Sequence, residues 1–293
     1  MGIIGFVTDS TAYLHPAFIE KHQIEVVSLI VNFEGESFPE AGLYVNFDEF
    51  YDRLRQVTYL PTTSQPPLGE FLKVYQKLGE RVDSIFSIHI TGGISGTVET
   101  ALAAARMLPH LDITVIDSNG TAVSEYLILD AAVRAVAKGL TRDEVLKVIQ
   151  HIADHNTLLY LPDTLEYLRR GGRIGGAAAL VGTLLQIKPI LYFNRKKNCI
   201  IDVYEKVRTR EKGLQKIISE MGKAYAKSPY FRVAVVEVGA RKAGQDLADR
   251  VHELYPEFEL EICPVGPVIG AHIGPGTVGL CYYPMSPQIK ELY

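Results

Sequence analysis

A chain of 293 residues with a formal charge of −4 has no basic field to attract nucleic acid or an anionic membrane surface, so neither partner is expected. Its 47% apolar and 22% charged residues place it among folded globular proteins, long enough for two domains or one large α/β unit. Cys199, Cys263 and Cys281 lie too far apart for a C-x-x-C pair, so neither a disulfide frame nor a zinc site is suggested, and a reducing, cytoplasmic setting fits.

Read from the amino end, "MGIIGFVTDST" lacks a basic segment before its apolar run, so no secretory signal is expected, and Phe6 stands where N-myristoylation needs Ser or Thr. Residues 3–8, 26–31, 84–90 and 113–116 are β-branched-rich runs of the buried-strand kind. Helical patterns lie between them at "LGEFLKVYQKLGER" and "TVETALAAARML", and that alternation implies a parallel sheet with crossover helices. Two more helices follow, "SEYLILDAAVRAVAKG" and one opened by a capping box of Thr141 and Glu144. The first domain is expected to span 1–160.

"PDTLEYLRRGGRIGGAAALVGTLL" then reads as an interdomain junction, a short helix broken by paired glycines and followed by an apolar helix. Beyond it, "PILYF" and "CIIDVY" flank "NRKKN" as a hairpin. "TREKGLQKIISEMGKAYAK" and "AGQDLADRVHELYP" read as helices among the strands "FRVAVVEV", "FELEIC" and "VGLCYY", giving 161–293 as an α/β domain with a mixed sheet. Apolar runs such as "AAALVGTLL" stop well short of the about twenty residues of a membrane span.

Gly274, Gly276 and Gly279 reproduce the G-x-G-x-x-G spacing of a dinucleotide loop. Only 14 residues follow Gly279, with Pro284 and Pro287 among them, so the helix and second strand of a Rossmann unit have no room. Asp9 of "VTDST" follows a strand, where haloacid dehalogenase-type phosphatases carry a nucleophilic aspartate. Thr11 replaces the second aspartate such enzymes need, and a turn in which Asp9, Ser10 and Thr11 bond nearby backbone is the alternative. The histidines form no H-E-x-x-H pair and no serine sits in G-x-S-x-G, so no metal, cofactor or triad chemistry is indicated.

Two hydroxyl-rich loops remain. "LPTTSQPP" presents Thr62, Thr63 and Ser64 between prolines, and "HITGGISGTVET" presents Ser95, Gly96 and Thr97 where a helix opens. Both are expected at βα turns on the sheet edge where ligands bind. Each alone reads as a helix cap; together they also suit a small anionic head such as a carboxylate.

The series "VTDST", "TSQPP", "ITGGISGTVETA", "VIDS", "YLRRGGRIGG", "IKPIL", "KVRTR" and "GPVIGAHIGPGTVG", in that order, resembles DegV family proteins, bacterial fatty-acid-binding proteins that serve fatty acid kinase. The resemblance runs almost end to end. It implies a two-domain α/β fold, a parallel Rossmann-like sheet followed by a mixed sheet, with an acyl chain in a tunnel between them. It implies a non-catalytic carrier that presents the carboxylate of a long-chain fatty acid such as palmitate, stearate or oleate to a separate ATP-binding kinase subunit, as a monomer without stable membrane insertion. Carried over, Thr63 and Ser95 are the carboxylate donors, with Thr62 and Gly96 beside them. His272 reaches the head group from the second domain, turned there by the neighbouring glycines, and Arg173 lies at the kinase-facing opening. Pro67, Gly92, Gly93 and Ala271 depart from the family's usual residues. A hydrolase or phosphotransferase using Asp9, or a regulatory lipid-sensing module, is the alternative.

Overall fold

A computed structural model describes residues 2–40, 47–180, 187–228 and 230–293. In chain order the first half holds β1 (Ile4–Asp9), α1 (Pro16–His22), β2 (Glu25–Val27), β3 (Ile30–Phe33), β4 (Glu36–Pro39), α2 (Phe47–Leu54), β5 (Thr62–Ser64), α3 (Leu68–Gly79), β6 (Ser84–His89), α4 (Thr97–Arg106), β7 (Ile113–Asp117), α5 (Val123–Ala137) and α6 (Arg142–His155). The second half holds β8 (Thr157–Leu161), α7 (Glu166–Arg170), β9 (Lys188–Asn194), β10 (Ile200–Val207), α8 (Arg210–Tyr225), β11 (Phe231–Glu237), α9 (Arg241–Leu254), β12 (Glu261–Pro264), α10 (Pro267–Ile273), β13 (Val278–Pro284) and α11 (Pro287–Lys290).

The β-branched runs form a four-stranded parallel sheet in the order β2-β1-β6-β7. A six-stranded mixed sheet runs β10-β9-β8-β13-β11-β12, with β11 and β12 its parallel pair. Its strand β8 contains residue 160, so the chain enters this sheet just after α6. The hairpin predicted around "NRKKN" is β9–β10, and the capping box is present: the Thr141 amide donates to Glu144 Oε2 at 2.8 Å and the Glu144 amide to Thr141 Oγ1 at 3.4 Å.

The layers follow from which faces are apolar. α3 and α4 cover one face of the parallel sheet through Phe71, Tyr75, Ala101 and Ala104. α8 and α9 cover the outer face of the mixed sheet through Ile217, Met221, Leu247 and Val251. Between the sheets lie α5 and α6. Leu127, Ile128, Leu129, Ala131 and Ala132 of α5 are all fully buried, as expected of a helix that is apolar on every side and has a layer on each.

Three expectations change. The run 26–31 is two strands in different sheets, because the Leu29 amide leaves the ladder and donates to Ser10 Oγ at 3.0 Å. "LPTTSQPP" is not a βα turn of the parallel sheet. Its Thr62–Ser64 is an edge strand of a separate antiparallel sheet, β4-β3-β5, bounded by prolines that cannot extend the ladder. Of the apolar helix expected at "AAALVGTLL", Gly175–Leu180 is a 3-10 segment and residues 181–186 lie outside the described residues.

One buried carboxyl fastens the halves together. Glu40 accepts hydrogen bonds from Ser10 Oγ at 2.7 Å, from Tyr13 Oη at 3.0 Å and from the Val268 amide of α10 at 2.7 Å. Tyr13 Oη in turn accepts from the Ile269 amide at 3.1 Å. Burial pushes the Glu40 carboxyl up from 4.5 to about 7, against the pull of these donors. The folded state therefore favours the protonated form. Its stabilising contribution is full below about pH 4.5 and is lost as pH rises through about 7. Glu40→Ala, which strands three buried donors, should lower the urea-unfolding free energy by roughly 3 kcal/mol at pH 5. The deficit relative to the native chain should shrink towards pH 8; a midpoint that does not move would remove Glu40 from this role.

Candidate functional site

In the parallel sheet β1 has β2 on one side and β6 on the other, so the strand order reverses between β1 and β6 and leaves a crevice at their carboxyl ends. The loop after β6 is held there by Asp9. Its Oδ1 accepts from the Thr11 amide at 3.0 Å and the Thr11 hydroxyl at 2.5 Å, and its Oδ2 from the Ile90 amide and from His89 Nδ1, both at 3.0 Å. Asp9 is wholly buried and does not line the cavity described below, so it is a clamp for two loops; the hydrolase reading loses its nucleophile. Further along, a Cβ at Gly93 would lie 2.3 Å from the Cys199 carbonyl oxygen. Only glycine lets this loop approach the β9–β10 turn so closely. The departure at Gly93 thus serves the contact between the two halves.

Between the halves is a narrow cavity of about 80 Å³. Its walls are largely apolar, drawn from Leu29, Ile90, Leu158, Phe193, Val236 and Val265 among others. Polar groups gather where the first-half loops meet α7 and α10: Thr63, Gln65, Ser95, Arg173 and His272 all line it.

The geometry of that cluster is tight. Thr63 Oγ1 lies 2.7 Å from His272 Nε2, joining β5 to α10 across the cavity. Gly171 passes directly under the imidazole, where a Cβ would meet His272 Nδ1 at 2.3 Å, and that nitrogen is buried without a hydrogen-bond partner among the described residues. Arg173 spends Nε on the Ile94 carbonyl at 3.2 Å and Nη1 on the Gly171 carbonyl at 2.9 Å, which leaves Nη2 for another acceptor. Ser95 Oγ is 2.8 Å from Thr97 Oγ1 at the start of α4. Burial, and then the charge of Arg173, lower the His272 pKa from 6.5 to about 4, so the ring is neutral at neutral pH.

Of the carboxylate donors expected from the sequence, Thr63, Ser95 and His272 meet at this cavity and Arg173 stands beside them. Thr62 does not line it: it alternates with Thr63 along β5 and faces the other way, exposed. Gly96 is the N-cap of α4, where a Cβ would meet Gln65 Oε1 at 2.0 Å. Gln65 was not singled out from the sequence, although it stands two residues beyond Thr63. His272 is aimed by α10 rather than by a glycine turn. Gly274 ends that helix at φ 77°, Gly276 follows at φ 94° and Gly279 lies within β13, so the glycines join a helix to a strand, the reverse of the strand-to-helix order a dinucleotide loop needs. Among the described residues no cluster of three or more His, Cys, Asp or Glu could hold a metal, and no helix is long and apolar enough to cross a membrane.

The profile of the DegV family, described as a family of uncharacterised proteins, matches residues 3–285. The chain belongs to the DegV family. Protein DegV of Bacillus subtilis is 34% identical over 280 residues, 95% of this chain and 98% of that one. A DegV domain-containing protein of Listeria innocua is 36% identical over 283 residues, 95% of this chain and 98% of its own length. Among solved structures, Bacillus subtilis DegV, described as a fatty acid binding protein, superposes with TM-score 0.87 at 32% identity, covering 97% of this chain and 100% of that one. A stearic acid-binding protein from Eubacterium ventriosum superposes with TM-score 0.85 at 25% identity, covering 96% of this chain and 98% of its own. The fold is therefore that of the family, a parallel sheet and a mixed sheet in one α/β chain.

The neutral imidazole gives a pH signature. The unfolded chain takes up a proton at His272 as pH falls through about 6.5, and the folded chain only near 4, so folding stability drops across that window as pH falls. His272→Gln should remove this component: urea midpoints at pH 7, 5.5 and 4.5 should fall less steeply in the variant than in the native chain. Parallel curves would show that the ring titrates normally.

Proposed function

We propose that this protein binds a long-chain fatty acid in the interdomain cavity and presents its carboxylate to a separate ATP-dependent fatty acid kinase, without catalysing the transfer itself. The observation that carries the reading is the meeting of a narrow apolar cavity with the Thr63–His272 pair, Ser95 and Arg173. Relatives at about a third identity that are described as fatty acid binding support it.

The chemistry divides between tail and head. Each buried methylene contributes about 0.8 kcal/mol, so about fifteen contribute roughly 12 kcal/mol before ordering costs are subtracted. The tail sets affinity. The hydroxyls of Thr63 and Ser95 donate to the carboxylate and decide which end faces out. His272 is neutral, so it polarises the head without a second fixed charge. The free Nη2 of Arg173 differs from the donor set read from the loops alone, which held no arginine; as the cationic group at the opening, it would meet either the carboxylate or the kinase. The same reading takes 1–160 and 161–293 as the two domains that enclose the chain, in a cytoplasmic monomer that is not inserted in a membrane.

Mass spectrometry of the denatured protein should release a C16 or C18 acid in near-stoichiometric amount; a protein that is consistently empty and has no acyl affinity would end the proposal. Thr63→Ala with Ser95→Ala should weaken stearate binding by roughly 10- to 100-fold, on the scale of two hydrogen bonds to a charged group. With the kinase subunit and ATP, Arg173→Ala should lower acyl phosphate formation more than it lowers stearate affinity. Equal losses in both would assign Arg173 to ligand binding alone.

A further inference from the structure

Two hydroxyls in the cavity wall enter no hydrogen bond among the described residues. Thr121 Oγ1 and Tyr160 Oη are buried, both residues line the cavity, and neither atom has a partner among the described residues. Each residue is only 5% exposed. The other hydroxyls of the lining are accounted for: Thr63 by His272, Ser95 by Thr97, and Thr277 by the Gly274 carbonyl at 3.3 Å. For a wall that faces only methylenes, Val and Phe would fill the same space without burying an unpaired hydroxyl, which is costly.

Both hydroxyls are rigidly placed. Ala122, next to Thr121, holds φ 53°, a strained value for a residue with a side chain. Its amide is captured by the buried Glu125 carboxyl at 3.1 Å, and Thr11 Oγ1 holds the same Oε1 at 3.0 Å. Ser124 Oγ lies 3.6 Å from Cys281 Sγ, and Cys281 pairs with Leu158, so the 120–124 segment is packed on β8 and β13. Tyr160 stands two residues beyond Leu158 on the same face of β8, its ring against Phe193 with centroids 6.2 Å apart. Burial alone pushes its phenol up, so it remains an O–H donor at any physiological pH.

We infer that Thr121 and Tyr160 form a second polar subsite in the acyl cavity, separate from the carboxylate cluster, that recognises a hydroxyl carried on the ligand's hydrocarbon chain. The inference rests on the acyl reading of the cavity and deepens it: the preferred ligand is a hydroxylated rather than a plain fatty acid. A wall hydroxyl that is paired only by such a ligand discriminates against the analogue lacking the group, because that analogue leaves the wall unpaired.

The test uses delipidated full-length protein, stearate, and a set of monohydroxystearates with the hydroxyl at successive positions. At least one isomer should bind about tenfold or more tighter than stearate. Tyr160→Phe with Thr121→Val should invert the order, tightening stearate severalfold and weakening the favoured isomer. Stearate binding as well as every isomer, or a preference that survives both substitutions, would overturn the subsite while leaving the acyl reading intact. If neither stearate nor any isomer binds, the acyl reading fails and the subsite with it.

Discussion

The position of α10 is the constraint on which the rest of the site depends. This short helix carries His272 and much of the cavity wall, and little in its own sequence would hold it as a helix in water. It is held from outside. Glu40 takes the Val268 amide, Tyr13 takes the Ile269 amide, and Tyr51 Oη of α2 donates to the Val265 carbonyl at 2.6 Å. Gly270 and Gly239 let the Tyr51 ring lie flat against the backbone, since a Cβ at either would come within 2.6 Å of it. Groups of the first half thus place a side chain of the second, and the Thr63–His272 contact is the consequence.

A second buried hub serves the opposite wall. Asp9 ties the loop after β1 to the loop after β6, and a chain of contacts runs on from His89 to Ser87 at 2.6 Å and to Tyr75 at 2.8 Å. This network stiffens the edge of the parallel sheet where Ile90, Ile94 and Ser95 enter the cavity. A carboxylate after the first strand invites a catalytic reading, but here it is spent on loop geometry. The site then combines rigid walls with a polar cluster whose imidazole is neutral and whose cation, Arg173, is half committed to backbone carbonyls.

Much of the fold was legible. The buried strands 3–8, 84–90 and 113–116, the capped α6 and the β9–β10 hairpin stand where periodicity and turn residues put them, because each carries its own local signal, a β-branched run, a capping box or a turn. The small sheet β4-β3-β5 was not legible. Its strands are three or four residues long, and β3 continues an apolar run that reads as one strand with β2. Helix α10 was hidden for a related reason: "PVIGAHI" has glycine within it and no capping side chain.

By itself, the sequence determined an α/β chain with two sheets, the hydroxyls of Thr63 and Ser95 as polar candidates, and the failure of the glycine spacing as a nucleotide motif, whereas Arg173 and His272 entered through the resemblance to the DegV family. Those depend on residue type, order and spacing along the chain. Only the tertiary structure decided that Thr62 faces away, that Gln65 joins the cluster, that Asp9 is sealed from the cavity, and that Thr121 and Tyr160 share the wall unpaired. A strand alternates its side chains, but which face meets a cavity is set by what packs on the other side. Here that partner lies far along the chain, 209 residues away for Thr63 and His272, and no local pattern encodes it.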